Sequence, residues 1–222
     1  MLSLRLQAIA NLIKKDDVVA DIGSDHGLLV NYLAIKGHRA LYASENKKGP
    51  YNRLKSELKA YKSDIIEIDL ADGLENLPAR INTVVIAGMG GELIVSILQA
   101  HPAKLVNVQK LILAPHCNAK AVREVLNALN YSISYEEIVV EKEVFYEIIV
   151  AEQKAIATKE VNPYFGTYHL QARSENFIKM WTSVYNQNKR ILSNKKLPLS
   201  RKEELLKEQK LIEKVISEGE KV

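Results

Sequence analysis

The 222-residue sequence has one cysteine, Cys117. An intramolecular disulfide and a cysteine metal cluster are therefore excluded, and no metal is expected. A single thiol fits a reducing cytoplasm, and Cys117 reads as a small buried or half-buried side chain. Aromatic residues are scarce, at 6%. No apolar run approaches the ~18 residues of a membrane span. The stretch from Met1 to Lys15 has no long apolar segment and no small-residue cleavage site, so no secretory leader and no membrane partner are expected. What is present is 47% hydrophobic and 26% charged residues, the balance of a soluble globular chain able to bury a real core.

The charge is uneven. Residues 1–158 hold 18 Lys/Arg and 19 Asp/Glu, a net of −1, whereas residues 159–222 hold 13 and 8, a net of +5. A basic appendage on a near-neutral body points to an anionic partner, nucleic acid first. A solvated lysine-rich helical surface is the alternative.

Hydrophobic periodicity divides the chain in two. Leu4 to Ile13 has helical spacing with Ser3 as a cap. Short apolar strands are expected at Val18 to Ile22, Ala40 to Ala43, Ile65 to Ile68, Thr83 to Ala87 and Leu111 to Leu113. Helices are expected at Leu28 to Ile35, Tyr51 to Ala60, Glu92 to Gln99 and Ala119 to Leu129. This alternation predicts an α/β domain with a parallel sheet covered on both faces. Ile133 to Val140 and Phe145 to Ala151 then form a hairpin around Glu141–Glu143, which makes one strand antiparallel. A mostly parallel sheet closed by such a hairpin is typical of the class I methyltransferase variant of the Rossmann-like fold. The domain is expected to span residues 1–155.

Residues 156–222 read as a C-terminal coiled-coil domain. Tyr168 to Lys195 is expected as one long helix, with Leu170, Phe177, Val184 and Ile191 at seven-residue intervals. Leu197-Pro198-Leu199 breaks it. Ser200 to Glu203 matches a capping box that opens a second helix with Leu205, Ile212 and Ile216 on one side.

The candidate chemistry sits at the strand ends. The first strand runs into Asp21-Ile22-Gly23-Ser24-Asp25-His26-Gly27, where glycine lets a ligand approach the backbone. The dinucleotide signature G-x-G-x-x-G is absent, and Asp25 would oppose a pyrophosphate. A cationic ligand such as S-adenosyl-L-methionine suits these acids. Glu45 closes the second strand, where an acid can accept from ribose hydroxyls. Asp72-Gly73 follows the third, where Asp72 can take an adenine amino group. The fourth ends Ala87-Gly88-Met89-Gly90-Gly91, which removes bulk beside a sulfonium. The fifth ends Ala114-Pro115-His116, and His116 can meet a substrate base. Each loop alone is also an ordinary turn; together they predict a cofactor crevice. Tyr146 reads as hairpin packing, and Phe177, Trp181 and Val184 as coiled-coil seam.

These strings resemble, in order, the bacterial tRNA (adenine(22)-N1)-methyltransferase family, TrmK. Asp21-Ile22-Gly23-Ser24-Asp25-His26, Glu45 with Gly49-Pro50, Asp72-Gly73-Leu74, Ile86-Ala87-Gly88-Met89-Gly90-Gly91 and Tyr146-Glu147 carry the resemblance from about Leu4 to Ala151. It implies a cofactor, S-adenosyl-L-methionine, held by Asp21, Gly23, Ser24, Asp25, Gly27, Glu45, Asp72, Gly73, Ala87 and Gly88. It implies a reaction centre at Asp25, Gly88 and Met89, and tRNA contacts at Arg5, His26, Met89, Gly90 and His116. Two positions depart from the family pattern: Ala114-Pro115-His116 stands for the usual Gln-Pro-Asn, and Ala71 for a Gly before Asp72. A monomer is expected, with the basic tail docking tRNA. Two rival readings are a methyltransferase acting on another RNA, a protein or a small molecule, and a nucleic-acid-binding protein with a vestigial cofactor fold.

Overall fold

The computed structural model describes residues 2–153, 161–194 and 196–217. The chain packs as two compact units, Met1–Gly166 and Thr167–Val222. The expected border at 155/156 lies outside the described residues. Residues 161–166 belong with the first unit, because the Pro163 carbonyl accepts from buried Arg123 at 3.3 Å and Gly166 lies against Glu136.

The first unit alternates as the periodicity predicts. It comprises α1 (Leu4–Asn11), β1 (Val19–Ile22), α2 (Leu28–Ile35), β2 (Leu41–Glu45), α3 (Lys48–Glu57), β3 (Ile66–Leu70), β4 (Thr83–Met89), α4 (Gly91–Ala100), β5 (Lys110–Pro115), α5 (Ala119–Ala128), β6 (Tyr131–Glu141) and β7 (Val144–Gln153). Ser3 caps α1, its hydroxyl accepting from the Leu6 N–H at 3.2 Å. The seven strands lie in the order β3-β2-β1-β4-β5-β7-β6. β7 runs antiparallel to both its neighbours, and the remaining pairs are parallel. Lys142 and Glu143 turn the hairpin with φ of 49° and 65°, the left-handed pair that a two-residue hairpin turn requires.

β1, β2 and β5 are buried along their whole length, as strands covered by helices on both faces must be. The core beneath α1, α2 and α3 is aliphatic: Ile9, Val19, Leu29, Leu33, Leu41, Leu54, Leu58, Val85 and Ile112. From β1 the chain winds outward to β3, then returns to the other side of β1 as β4. Such a reversal opens a crevice at the carboxyl ends of β1 and β4.

The second unit differs from the expected single long helix. The chain forms α6 (Thr167–Ala172) and α7 (Glu175–Leu192). Arg173 takes a left-handed φ of 44°, and the Ser174 hydroxyl accepts from the Phe177 N–H at 3.2 Å to start α7. Periodicity carries on through a two-residue break, so the heptad count could not reveal it. The last helix, α8 (Leu199–Ser217), begins before Ser200, so the serine lies inside it and is no cap. Leu205, Ile212 and Val215 are its buried positions, in place of Ile216. α7 and α8 are antiparallel: Asn188 donates to Glu208 at 3.1 Å, while Arg173, near the other end, donates to the Val215 carbonyl at 2.7 Å.

Candidate cofactor and substrate site

The β1–α2 loop is shaped by two backbone bonds to β2. The N–H groups of Gly23 and Ser24 both donate to the Ser44 carbonyl, at 2.9 and 3.1 Å. This folds the loop over the end of β2 and places Asp25 in a left-handed conformation, φ 48°. Its N–H then donates to Glu45 Oε1 at 2.5 Å. Glu45 is only 8% exposed, and its carboxylate is fixed at the crevice edge by that bond. In the next loop outward, the Asn46 amide donates to Asp72 at 3.3 Å. The ends of β1, β2 and β3 thus carry Asp21, Glu45 and Asp72 in adjacent loops.

Asp21 is held well away from its ordinary range. It is 7% exposed, and it accepts a hydrogen bond from the Ser24 hydroxyl at 2.6 Å. Burial pushes its carboxyl up to about 6; the Ser24 bond opposes this and the charge of Glu45 adds to it. A buried acid held above its ordinary range in a cleft is arranged for a cationic ligand, whose charge would draw the proton off.

Across the crevice, the register between β4 and β5 shifts between Ala87 and Met89. Gly88 sits in that irregularity with a φ of 83°. A side chain there would approach the guanidinium of Arg5 and His116 Nε2, at 3.7 Å each. Arg5 comes from α1 and lies over the Tyr146 ring, 5.0 Å from its centroid. His116 also meets Tyr146, with ring centroids 5.8 Å apart. Burial holds the His116 ring below its ordinary value, helped by the Arg5 charge and opposed by a hydrogen bond to the Gly88 backbone. Burial and the Arg5 charge both favour the neutral ring. Arg5 Nη1 is buried, with no hydrogen-bond partner among the described residues.

These groups surround one cavity of about 240 Å³. It brings together Arg5, Asp21, Gly23, Ser24, Asp25, His26, Ala87, Gly88 and His116 from the expected set, with Leu6, Leu28 and Leu29 as apolar walls. At the rim, Asp25 pairs with His26 at 3.5 Å and with Arg53 at 3.7 Å.

Gly27, Glu45, Asp72, Gly73, Met89 and Gly90 do not line this cavity. Gly27 leaves room for Leu54 and Leu58, and Gly73 for Ile97, so both glycines serve apolar packing. The Met89 side chain lies over Gly23. Gly90 lies beside Cys117, which is exposed, contrary to expectation. Tyr146, expected as hairpin packing, supports both Arg5 and His116. Asn46 and Arg53 were not singled out from the sequence. Asn46 directly follows Glu45, which was the available signal; Arg53 carried none.

A family model described as a methyltransferase domain matches residues 2–149. The tRNA (adenine(22)-N(1))-methyltransferase of Bacillus subtilis is 34% identical over 203 residues, covering 84% of this chain and 85% of that protein. The chain belongs to the tRNA (adenine(22)-N1)-methyltransferase family. Among solved structures of similar proteins, the Bacillus subtilis TrmK methyltransferase matches with a TM-score of 0.85 at 31% identity, over 98% of this chain and 99% of that one. A Streptococcus pneumoniae protein crystallised with S-adenosyl-L-methionine matches with a TM-score of 0.88 at 29% identity, over 97% of this chain and 100% of that one. The likeness to family members spans both units. Among the described residues, no group of three His, Cys, Asp or Glu could hold a metal ion, and no helix is long and apolar enough to cross a membrane.

Proposed function

We propose that this chain transfers the methyl group of S-adenosyl-L-methionine to N1 of adenine 22 in tRNA, giving 1-methyladenosine. The observation that carries the reading is the crevice of a family member in which a buried, raised-pKa acid, Asp21, shares one cavity with Gly88, Arg5 and His116. The residues fit the cofactor. Asp21 suits its ammonium, the fixed Glu45 carboxylate its ribose hydroxyls, and Asp72 its adenine amino group. The backbone at Gly88, with no side-chain atom of the described residues nearer than 3.7 Å to where a Cβ would stand, leaves space at the strand end.

When bound, the cofactor supplies a methyl group already activated by its sulfonium. The chain's own work is alignment and electrostatics. Adenine N1 has an in-plane lone pair and is unprotonated at pH 7, so no side chain must remove a proton from it. Its Watson–Crick edge must be free, so the base leaves its stack and enters the crevice. Gly88 keeps the path between base and methyl clear of side-chain atoms. His116 and Arg5, supported on Tyr146, hold the incoming nucleotide, with His26 at the rim. The methylated ring is cationic, and Asp25 and Asp21 stabilise the charge as it develops. The helical unit adds phosphate contacts through its basic surface. Its apolar seam is closed between α7 and α8 of one chain, which supports a monomer. The reaction belongs in the cytoplasm with its tRNA.

The test is incubation with total tRNA and labelled cofactor, followed by nucleoside mass spectrometry. A 1-methyladenosine peak that requires both cofactor and protein is expected. Label in protein or small molecules, with none in tRNA, would overturn the reading.

A further inference from the structure

The near-neutral total of residues 1–158 conceals a concentrated basic segment. Residues 47–62 contain Lys47, Lys48, Arg53, Lys55, Lys59 and Lys62 against the single acid Glu57. That is +5 in 16 residues, the same excess that the C-terminal 64 residues carry; the rest of 1–158 is correspondingly −6. All six cations are exposed. Leu54 and Leu58 are turned into the core, which leaves Lys48, Asn52 and Lys55, at i, i+4 and i+7, together on an outer face of α3. Lys59 and Lys62 extend the band past the helix end. Among the described residues no carboxylate pairs with any of the five lysines.

The band begins at the crevice. Lys47 and Lys48 follow Glu45 and Asn46 at the end of β2. Arg53 reaches the cavity rim, where it contacts Asp25 at 3.7 Å and His26 at 3.3 Å. A rise of about 1.5 Å per residue separates Lys48 from Lys55 by about 10 Å along the helix. Five unpaired cations in a row, running away from a pocket mouth, match a polyanion whose one unit enters the pocket.

We infer that the outer face of α3, from Lys47 to Lys62, is a docking surface for the phosphate backbone of the RNA strand that delivers the target nucleotide. This rests on the tRNA methyltransferase reading and adds a surface on the first unit to the one proposed for the helical unit. Phosphate contacts give register and orientation, with base choice left to the pocket. Arg53 links the two, since its guanidinium stands between the lysine band and the acids of the rim.

The test uses the full chain carrying Lys48→Gln, Lys55→Gln, Lys59→Gln and Lys62→Gln together, beside the matching Lys→Arg variant. Binding of unmodified tRNA is measured against salt concentration without cofactor. Neutralising each phosphate contributes a slope of about 0.7 to 0.9, so the Gln variant should lose about 3 from the log–log salt slope. Its tRNA affinity near 0.1 M salt should fall at least about tenfold. KM for tRNA should rise with little change in kcat, and cofactor affinity and melting temperature should match the wild type. The Arg variant should bind tRNA as the wild type does. An unchanged slope and affinity in the Gln variant would overturn the inference. So would selective loss of binding to anionic phosphatidylserine vesicles, which would make the band a membrane surface. Wild-type protein that transfers no methyl to tRNA would defeat the underlying reading instead; the binding arm still decides the band.

Discussion

Asp21 and Lys55 belong to the same α/β unit, yet the fold treats their charges in opposite ways. Asp21 is buried at the end of β1 and held at a pKa of about 6. Lys55 and the other four lysines of the band stand in water, with no carboxylate partner among the described residues. An exposed lysine contributes almost nothing to folding, so its presence needs no compensation. A buried acid with a raised pKa disfavours the folded state at neutral pH and needs another reason to persist. Arg123 is a third case. Its guanidinium is fully buried but donates to Glu136 at 2.6 Å, to Glu147 and to the Pro163 carbonyl. Burial with partners marks structure, burial under strain marks the binding pocket, and exposure in a row marks a surface for a charged partner.

The largest effect is expected at Arg123. Arg123→Met removes the cation from between two glutamates and should destabilise the unit by about 3–5 kcal/mol, read by urea denaturation. A loss within about 0.5 kcal/mol would place Arg123 with the exposed lysines.

Asp21→Asn should act in the opposite direction. The folded pKa of about 6 lies above the ordinary 3.8, so the folded state binds the proton more tightly than the unfolded one. The penalty is absent below pH 4, grows as pH rises to about 6, and is constant above. At about 1.4 kcal/mol per pKa unit it reaches about 3 kcal/mol. The Asn variant should therefore be more stable at pH 7 by up to that amount while binding S-adenosyl-L-methionine more weakly. Wild-type cofactor affinity should rise as pH passes upward through about 6, and the variant should lose that dependence. A pH-independent affinity in the wild type, measured by calorimetry, would remove Asp21 from the ammonium site.

Glu45→Gln and Asp72→Ala should each weaken cofactor binding by about 1.5–3 kcal/mol, the value of a hydrogen bond to a charged group, without unfolding the unit. Normal affinity in either variant would return that acid to the class of solvated loop residues.

A chain ending at Gly166 sharpens the comparison between the two basic surfaces. Cutting there keeps residues 161–166, which Arg123 fastens to the sheet. This chain should bind the cofactor fully and tRNA about tenfold more weakly, about 1.4 kcal/mol, retaining the share of salt dependence that α3 supplies. Full tRNA affinity in the truncated chain would exclude the helical unit from docking; aggregation would show that it covers apolar surface instead.

Much of this was legible because chemistry and topology coincide at strand ends. Glu45, Asp72 and the Asp21–Gly27 loop follow apolar runs whose type the sequence fixes by composition. The purpose of each glycine was not legible: Gly88 opens the crevice, while Gly23 makes room for methionine, Gly27 for leucine and Gly73 for isoleucine. That distinction depends on which distant side chain arrives, and residue spacing does not encode it. The helix break at Arg173 escaped because a hydrophobic stripe continues across it. The α3 band escaped because charge averaged over 158 residues hides a local excess, whereas the same excess in a terminal segment stands out.

The central claim is methylation at N1 of one adenine, and N1 methylation blocks Watson–Crick pairing. Primer extension on a single tRNA transcript treated with protein and S-adenosyl-L-methionine tests it most directly. The account predicts a reverse-transcription stop at position 22 that disappears without cofactor and when adenine 22 is replaced by another base. A cofactor-dependent stop at another position, or read-through of position 22 in fully treated RNA, would contradict it.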